Sequence, residues 1–232
     1  MSWQPLPTSV TVTVTYNVPQ PRAFELDPAK TALVIVDMEN AFCTPGFQFY
    51  FTRMEATIAG NARLLAKARA AGVKIIYSQS VRKPDMVEVI RFGRDAHLLE
   101  GTPDVQIIPA LAPRPGEIVF KKYSHDPFAR TGFDELLERE GVVEGEWSVL
   151  VTGVSAAVCA NVCALGFANR HYYTIIPMDC TAARSVTDEA RTYAQYTSAA
   201  YEYCIGFTTS ELVTFVPGAG QLKPIQKELV RA

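Results

Sequence analysis

The chain has 232 residues, 48% of them hydrophobic and 20% charged, the composition of an ordinary folded protein. Its 22 Lys and Arg against 24 Asp and Glu leave a net charge of −2, which offers no electrostatic footprint for nucleic acid or an anionic membrane. Apolar runs such as residues 32–36 and 174–178 are strand-sized, far short of the ~20 residues a bilayer helix requires. The N-terminal segment MSWQPLPTSV has neither the basic start nor the apolar stretch of a secretory signal, so a cytoplasmic protein is expected. An odd count of five cysteines argues for reduced thiols, and neither a C-x-x-C pair nor closely spaced histidines occur. Neither a metal nor a cofactor is therefore expected, and the partner in view is a small-molecule substrate.

In chain order, residues 1–30 read as an extended arm, where Val10, Val12 and Val14 alternate with threonines among prolines. One domain is assigned to residues 31–216 and a tail to 217–232. Residues 32–36 form a continuous apolar strand ending in Asp37. A helical stretch then carries Met54, Ile58, Leu65 and Ala68 on one face, with Gly72 as its stop. Strands are expected at 73–77, 117–121, 147–152 and 173–178, and helices at 133–139, 156–168 and 187–204. Ser185 with Asp188 three residues on marks the start of the last helix. Apolar strands alternating with helices imply an α/β fold: one domain with a mostly parallel sheet flanked by helices on both faces, a three-layer Rossmann-type sandwich. Ligands of such sheets bind beyond the carboxyl ends of the strands.

The residues at those ends carry chemistry. Asp37 sits at the lip of a buried strand, a low-dielectric position suited to proton transfer. Lys121 and Lys122 close the third strand, and strand alternation lets only one of them face inward. Beyond them lie Tyr123, His125 and Phe128, which with Phe42 are candidate substrate contacts. After the fourth strand, Gly153 turns the chain into a helix whose first turn should hold Cys159, where free N–H groups and the helix dipole would lower the thiol pKa and receive an oxyanion. Cys43 is a candidate pocket residue, and Cys163, Cys180 and Cys204 are expected to be filler. Arg82 and Arg91 read as surface or as carboxylate binders. A Cys159–His125–Asp arrangement stays open beside one that uses lysine.

The segments ALVIVDMENAF (32–42), the run from Lys122 through Phe128 and Thr131, and GVSAAVC (153–159) resemble the isochorismatase-like cysteine hydrolases, the family of nicotinamidases, N-carbamoylsarcosine and ureidoacrylate amidohydrolases. The resemblance implies that fold, a catalytic Asp37–Lys122–Cys159 set and an oxyanion hole from the N–H groups of Ser155 and Cys159, with a cis peptide before Ser155. It also implies C–N hydrolysis of an amide, carbamoyl or ureido compound through a thioester, and a homo-oligomer, dimer or tetramer. Vinyl-ether-cleaving isochorismatases typically lack the cysteine, so they form the alternative, together with a non-catalytic scaffold. The chain departs from the family pattern in four places. Glu39 stands where Gln is usual, Ala156-Ala157 where Thr-Asn is common, Cys163 and Leu165-Gly166 where many members have Thr and Arg-Asp, and Phe49-Tyr50-Phe51 where nicotinamidases place a metal motif.

Overall fold

Six successive residues, Thr31–Val36, are all buried, which requires packing on both faces of the strand they form. A computed structural model describes residues 13–197, 201 and 203–219. The elements are β1 (Phe24–Leu26), β2 (Thr31–Val36), the single-turn helices α1 (Asn40–Cys43) and α2 (Thr52–Glu55), α3 (Ile58–Ala71), β3 (Lys74–Ser80), α4 (Val87–Phe92) and β4 (Ile118–Lys122). There follow α5 (Phe133–Arg139), β5 (Ser148–Val154), α6 (Cys159–Ala168), β6 (Tyr173–Pro177), β7 (Thr181–Ala182), α7 (Val186–Tyr196), β8 (Ile205–Thr208) and β9 (Val213–Phe215).

Seven strands form one parallel sheet in the order β4-β3-β2-β5-β6-β8, with β7 paired to β5. On one face Ala32, Val34 and Val36 pack against Phe133 of α5 and Cys163, Ala164 and Phe167 of α6. On the other, Leu33 and Ile35 meet Leu64, Leu65 and Ala68 of α3. Each Val, Leu, Ile or Phe among them contributes roughly 1.5–3 kcal/mol on burial, so the central strand anchors both layers. The chain winds outward from β2 through β3 to β4, then returns to β5 and winds the other way. The carboxyl ends of β2 and β5 therefore form the switch point, the crevice where such sheets bind ligands.

The close pairing of β2 and β5 at this point depends on Gly153, whose φ is +91°. A Cβ there would fall 2.0 Å from the Val36 carbonyl oxygen and 2.7 Å from its nitrogen. Gly153→Ala is expected to destabilise the fold by about 2–4 kcal/mol, combining backbone strain with overpacking, as urea unfolding would measure. An unchanged midpoint would contradict this account of the turn.

Several expectations are corrected. The expected helix over 187–204 ends at Tyr196, capped at its start by Ser185, whose side chain accepts from the Asp188 N–H. The chain must leave the helix because Ile205 pairs with Thr174 on β6, so Cys204 lies in a turn rather than on the helix. The helix expected from 156 begins only at Cys159, since residues 155–158 form the turn that presents it. The stretch holding Met54 and Ile58 is split between α2 and α3. Val10 and Val12 lie outside the described residues, while Val14 is exposed and in no strand. Phe24–Leu26, nearby, instead forms a parallel pair with Val213–Phe215. Among the described residues, no helix is long and apolar enough to cross a membrane.

Candidate active site

The pleat of β4 sorts its two terminal lysines. Lys121 points outward to Glu100 at 2.6 Å, whereas the Lys122 ammonium is buried 2.8 Å from Asp37 Oδ2, with both side chains fully enclosed. Lys122 also donates to the Ser124 carbonyl at 3.0 Å. Asp37, the first residue past β2, has φ +50°, uncommon outside glycine, and its N–H donates to the Ser78 carbonyl at 2.9 Å. Burial pulls the Lys122 ammonium down, but Asp37, Cys159 and Glu39 outweigh this and hold it above the usual lysine value. Lys122 thus stays charged beside Asp37.

The path from β5 delivers the thiol. The Val154–Ser155 peptide bond is cis, and Cys159 opens α6, where backbone N–H groups of the first helical turn have no partner within the helix. The Cys159 thiol, 6% exposed, lies near enough to Asp37 and Lys122 for both to act on its titration. His125 Nδ1 is 3.4 Å from its sulfur. The expected lowering of the thiol pKa is corrected: burial and then Asp37 push it well up, against the pull of Lys122. The resting group is a neutral thiol, because desolvation and Asp37 outweigh Lys122. Burial, then Lys122 and Arg82, depress His125, so its imidazole is neutral at pH 7. Cys163 and Cys180 are fully enclosed, and burial raises both. Cys43 is pushed up to about 12 and packs in the core against Met38 instead of lining the pocket.

Glu39 is the residue whose environment the sequence left hidden. It is fully buried, its Oε1 accepts the Ser80 N–H at 2.5 Å, and its Oε2 has no partner. Burial and the neighbouring Asp37 raise its pKa well above the carboxylate range, against the Ser80 N–H, Lys122 and Arg82. One lysine is already matched by Asp37, so a second buried anion would be uncompensated and Glu39 keeps its proton. The unfolded chain releases that proton above the ordinary carboxylate pKa of about 4.3 while the folded chain retains it, so stability falls as pH rises. Glu39→Gln keeps an acceptor for Ser80 and has no proton to lose. Its stability relative to wild type is expected to grow as pH rises above about 4.3, by up to about 1.4 kcal/mol per pH unit, as urea melts would report. A difference that does not change with pH would contradict a protonated Glu39.

A cavity of about 410 Å³ lies over Cys159. Of the expected contacts, Phe42, His125 and Ser155 line it, joined by Phe49, Phe51, Phe92, Arg82 and Arg184. Tyr123 does not line it; Lys83 sits 4.3 Å over its ring. Phe128 is also outside, packed edge-on to Phe167. Gly166 makes room for that ring, since a Cβ there would fall 2.5 Å from Phe128 ring atoms, and Arg170 covers it at 3.8 Å. The Leu165-Gly166 departure therefore belongs to packing. Arg82 is buried and paired with Glu88 at 2.7 Å, while Arg91 is exposed. Phe49 and Phe51 occupy the cavity wall, and among the described residues no group of three or more His, Cys, Asp and Glu side chains is placed to hold a metal ion. A larger hollow of about 510 Å³ at the amino ends of β5 and β6, lined by Trp147, His171 and Tyr173, is remote from these groups.

The model of the isochorismatase domain matches residues 31–207. A ureidoacrylate amidohydrolase, RutB, of Methylorubrum extorquens is 30% identical, the match covering 70% of this chain and 73% of that protein. The same enzyme of Methylobacterium radiotolerans is 30% identical, covering 70% of each. Among solved structures, a cysteine hydrolase from Pseudomonas syringae pv. phaseolicola superposes with a TM-score of 0.71 and 26% identity, over 83% of this chain and 94% of that one. N-carbamoylsarcosine amidase from Thermoplasma acidophilum gives 0.65 and 25%, over 78% and 97%.

Proposed function

The chain belongs to the isochorismatase family of hydrolases, and from that premise we propose that it hydrolyses a C–N bond of a small amide, carbamoyl or ureido compound through a thioester on Cys159. The observation that carries this reading is the fully buried Asp37–Lys122 pair at the carboxyl ends of β2 and β4, near enough to the Cys159 thiol to act on its charge, beneath a cavity that Cys159 lines. A neutral thiol needs a base at the moment of attack, and Asp37, whose charge acts on that thiol, takes its proton. The charge of Lys122 holds the nascent thiolate. The thiolate adds to the substrate carbonyl, and the oxyanion is received by the N–H groups of Ser155 and Cys159 at the start of α6. Asp37 passes its proton to the leaving nitrogen as the C–N bond breaks, which leaves the thioester. Water then attacks with Asp37 again as base, releasing the acid and restoring the thiol. The amidohydrolase names of the relatives above support the bond type.

The contact of His125 with the thiol favours a second reading, in which the imidazole rather than Asp37 takes the proton. Ammonia release from a panel of small amides and ureides tests both. On the first reading Asp37→Asn is silent and His125→Gln retains turnover; the reverse order supports the second. Turnover by neither wild type nor variant across the panel would count against C–N hydrolysis.

A further inference from the structure

The cavity over Cys159 is unlike a receptor for a small polar ureide. Its wall is built by Phe42, Phe49, Phe51 and Phe92, with the methyl-rich Val89 and Val158 between them. Phe42 and Phe49 stack with ring centroids 5.9 Å apart, a flat apolar face turned to the same space as the thiol. Phe92, on α4 at the mouth, is 60% exposed, an aromatic surface left for an occupant to cover. The charged groups at the wall divide in two. Arg82 is matched by Glu88 at 2.7 Å and also donates to the Val81 carbonyl, and His97 lies 3.5 Å from Asp104. Arg184 differs: its guanidinium lies 4.6 Å from the centroid of Phe51, and among the described residues no carboxylate pairs with it. It stands two residues past β7, whose Ala182 carbonyl accepts the Ala156 N–H at 2.8 Å, so its backbone adjoins the loop that presents Cys159.

We propose that the substrate combines three parts: an amide or ureido head at Cys159, an aryl or comparably large apolar body against Phe42, Phe49 and Phe92, and an anionic group held by Arg184. This rests on the C–N hydrolase reading and specifies its substrate class. The aromatic wall supplies the affinity, since buried aromatic area is the largest apolar contribution a ligand can make. The guanidinium, exposed at the wall over the Phe51 ring, supplies a charge-assisted hydrogen bond to a carboxylate.

Three ureides separate these contributions. N-carbamoylphenylalanine carries head, ring and anion; N-carbamoylglycine lacks the ring; phenethylurea lacks the anion. Calorimetry on Cys159→Ala reads binding without turnover, and ammonia release by the wild type reads kcat/KM. The full compound is expected to bind and to turn over at least about tenfold better than either partial one. Arg184→Gln is expected to weaken the full compound at least about tenfold more than it weakens phenethylurea. N-carbamoylglycine performing as well as the full compound, equal losses on both compounds in Arg184→Gln, or no binding by any of the three would overturn the proposal. Binding in the expected order without hydrolysis would uphold this substrate class while contradicting the hydrolase reading. Hydrolysis of N-carbamoylglycine with no gain from a ring would do the opposite.

Discussion

Replacing Cys159 by Ala is expected to lower kcat by about 10⁴-fold or more on any substrate the wild type turns over, with the fold intact. The size follows from the role: among the described residues no other thiol lines the cavity, and Cys163, one turn further along α6, is fully enclosed in the core. The stability cost is small, since one sulfur is removed from a side chain at the edge of the cavity and Ala extends the run toward Ala160 and Ala164. About 1 kcal/mol covers it. Steady-state ammonia release alongside urea unfolding measures both quantities. Residual turnover within tenfold of wild type would remove the cysteine from the mechanism.

Lys122→Met is expected to impair activity and stability together. The substitution preserves length and apolar volume but deletes the ammonium 2.8 Å from Asp37, in a place where neither side chain has any exposure. Breaking a buried pair by removing one partner typically costs about 3–5 kcal/mol, because the remaining charge loses its compensation without regaining water. Catalysis should fall by about 10²–10³-fold or more, since the thiolate would form beside Asp37 with no cation to hold it. Lys121→Met serves as the control: its partner Glu100 is on the surface, and such exposed pairs contribute about 0–1 kcal/mol. Equal effects from the two substitutions would contradict the sorting of the lysines by the pleat.

Much of this architecture is legible in the residues, for identifiable reasons. Unbroken apolar runs such as residues 32–36 can only be strands covered on both faces, and the helices between them force a parallel sheet with its crevice at the strand ends. Asp37, Lys122 and Cys159 are all expected at one end of the sheet; in the fold Asp37 and Lys122 pair at 2.8 Å, and Cys159 lines the cavity at that end. The choice between Lys121 and Lys122 stays open in the sequence, because alternation separates the two without saying which faces inward. The register of β3 on β4, Ser80 opposite Lys122, decides it. β8 was hidden by its shortness and by the helical period that precedes it, while β1 and β9 exist as strands only through pairing with each other.

The electrostatics were the least legible. A cysteine at a helix start suggests an acidic thiol, but desolvation depends on how completely the surroundings close over the sulfur, which no local pattern encodes. Glu39 reads in the sequence as one departure from the family pattern among several; only its enclosure beside Asp37 makes it a protonated acid. The cavity wall is likewise assembled from distant segments, with Phe49, Phe92 and Arg184 meeting from three separate connections.

The most direct test of the covalent mechanism is the intact mass of wild-type protein acid-quenched during turnover of the best substrate of the panel. The account predicts a species heavier by the acyl or carbamoyl group, mapped to the peptide containing Cys159, reversed by hydroxylamine and absent from Cys159→Ala. Turnover with no adduct under conditions where release of the acid limits the rate, or an adduct on another residue, would contradict it.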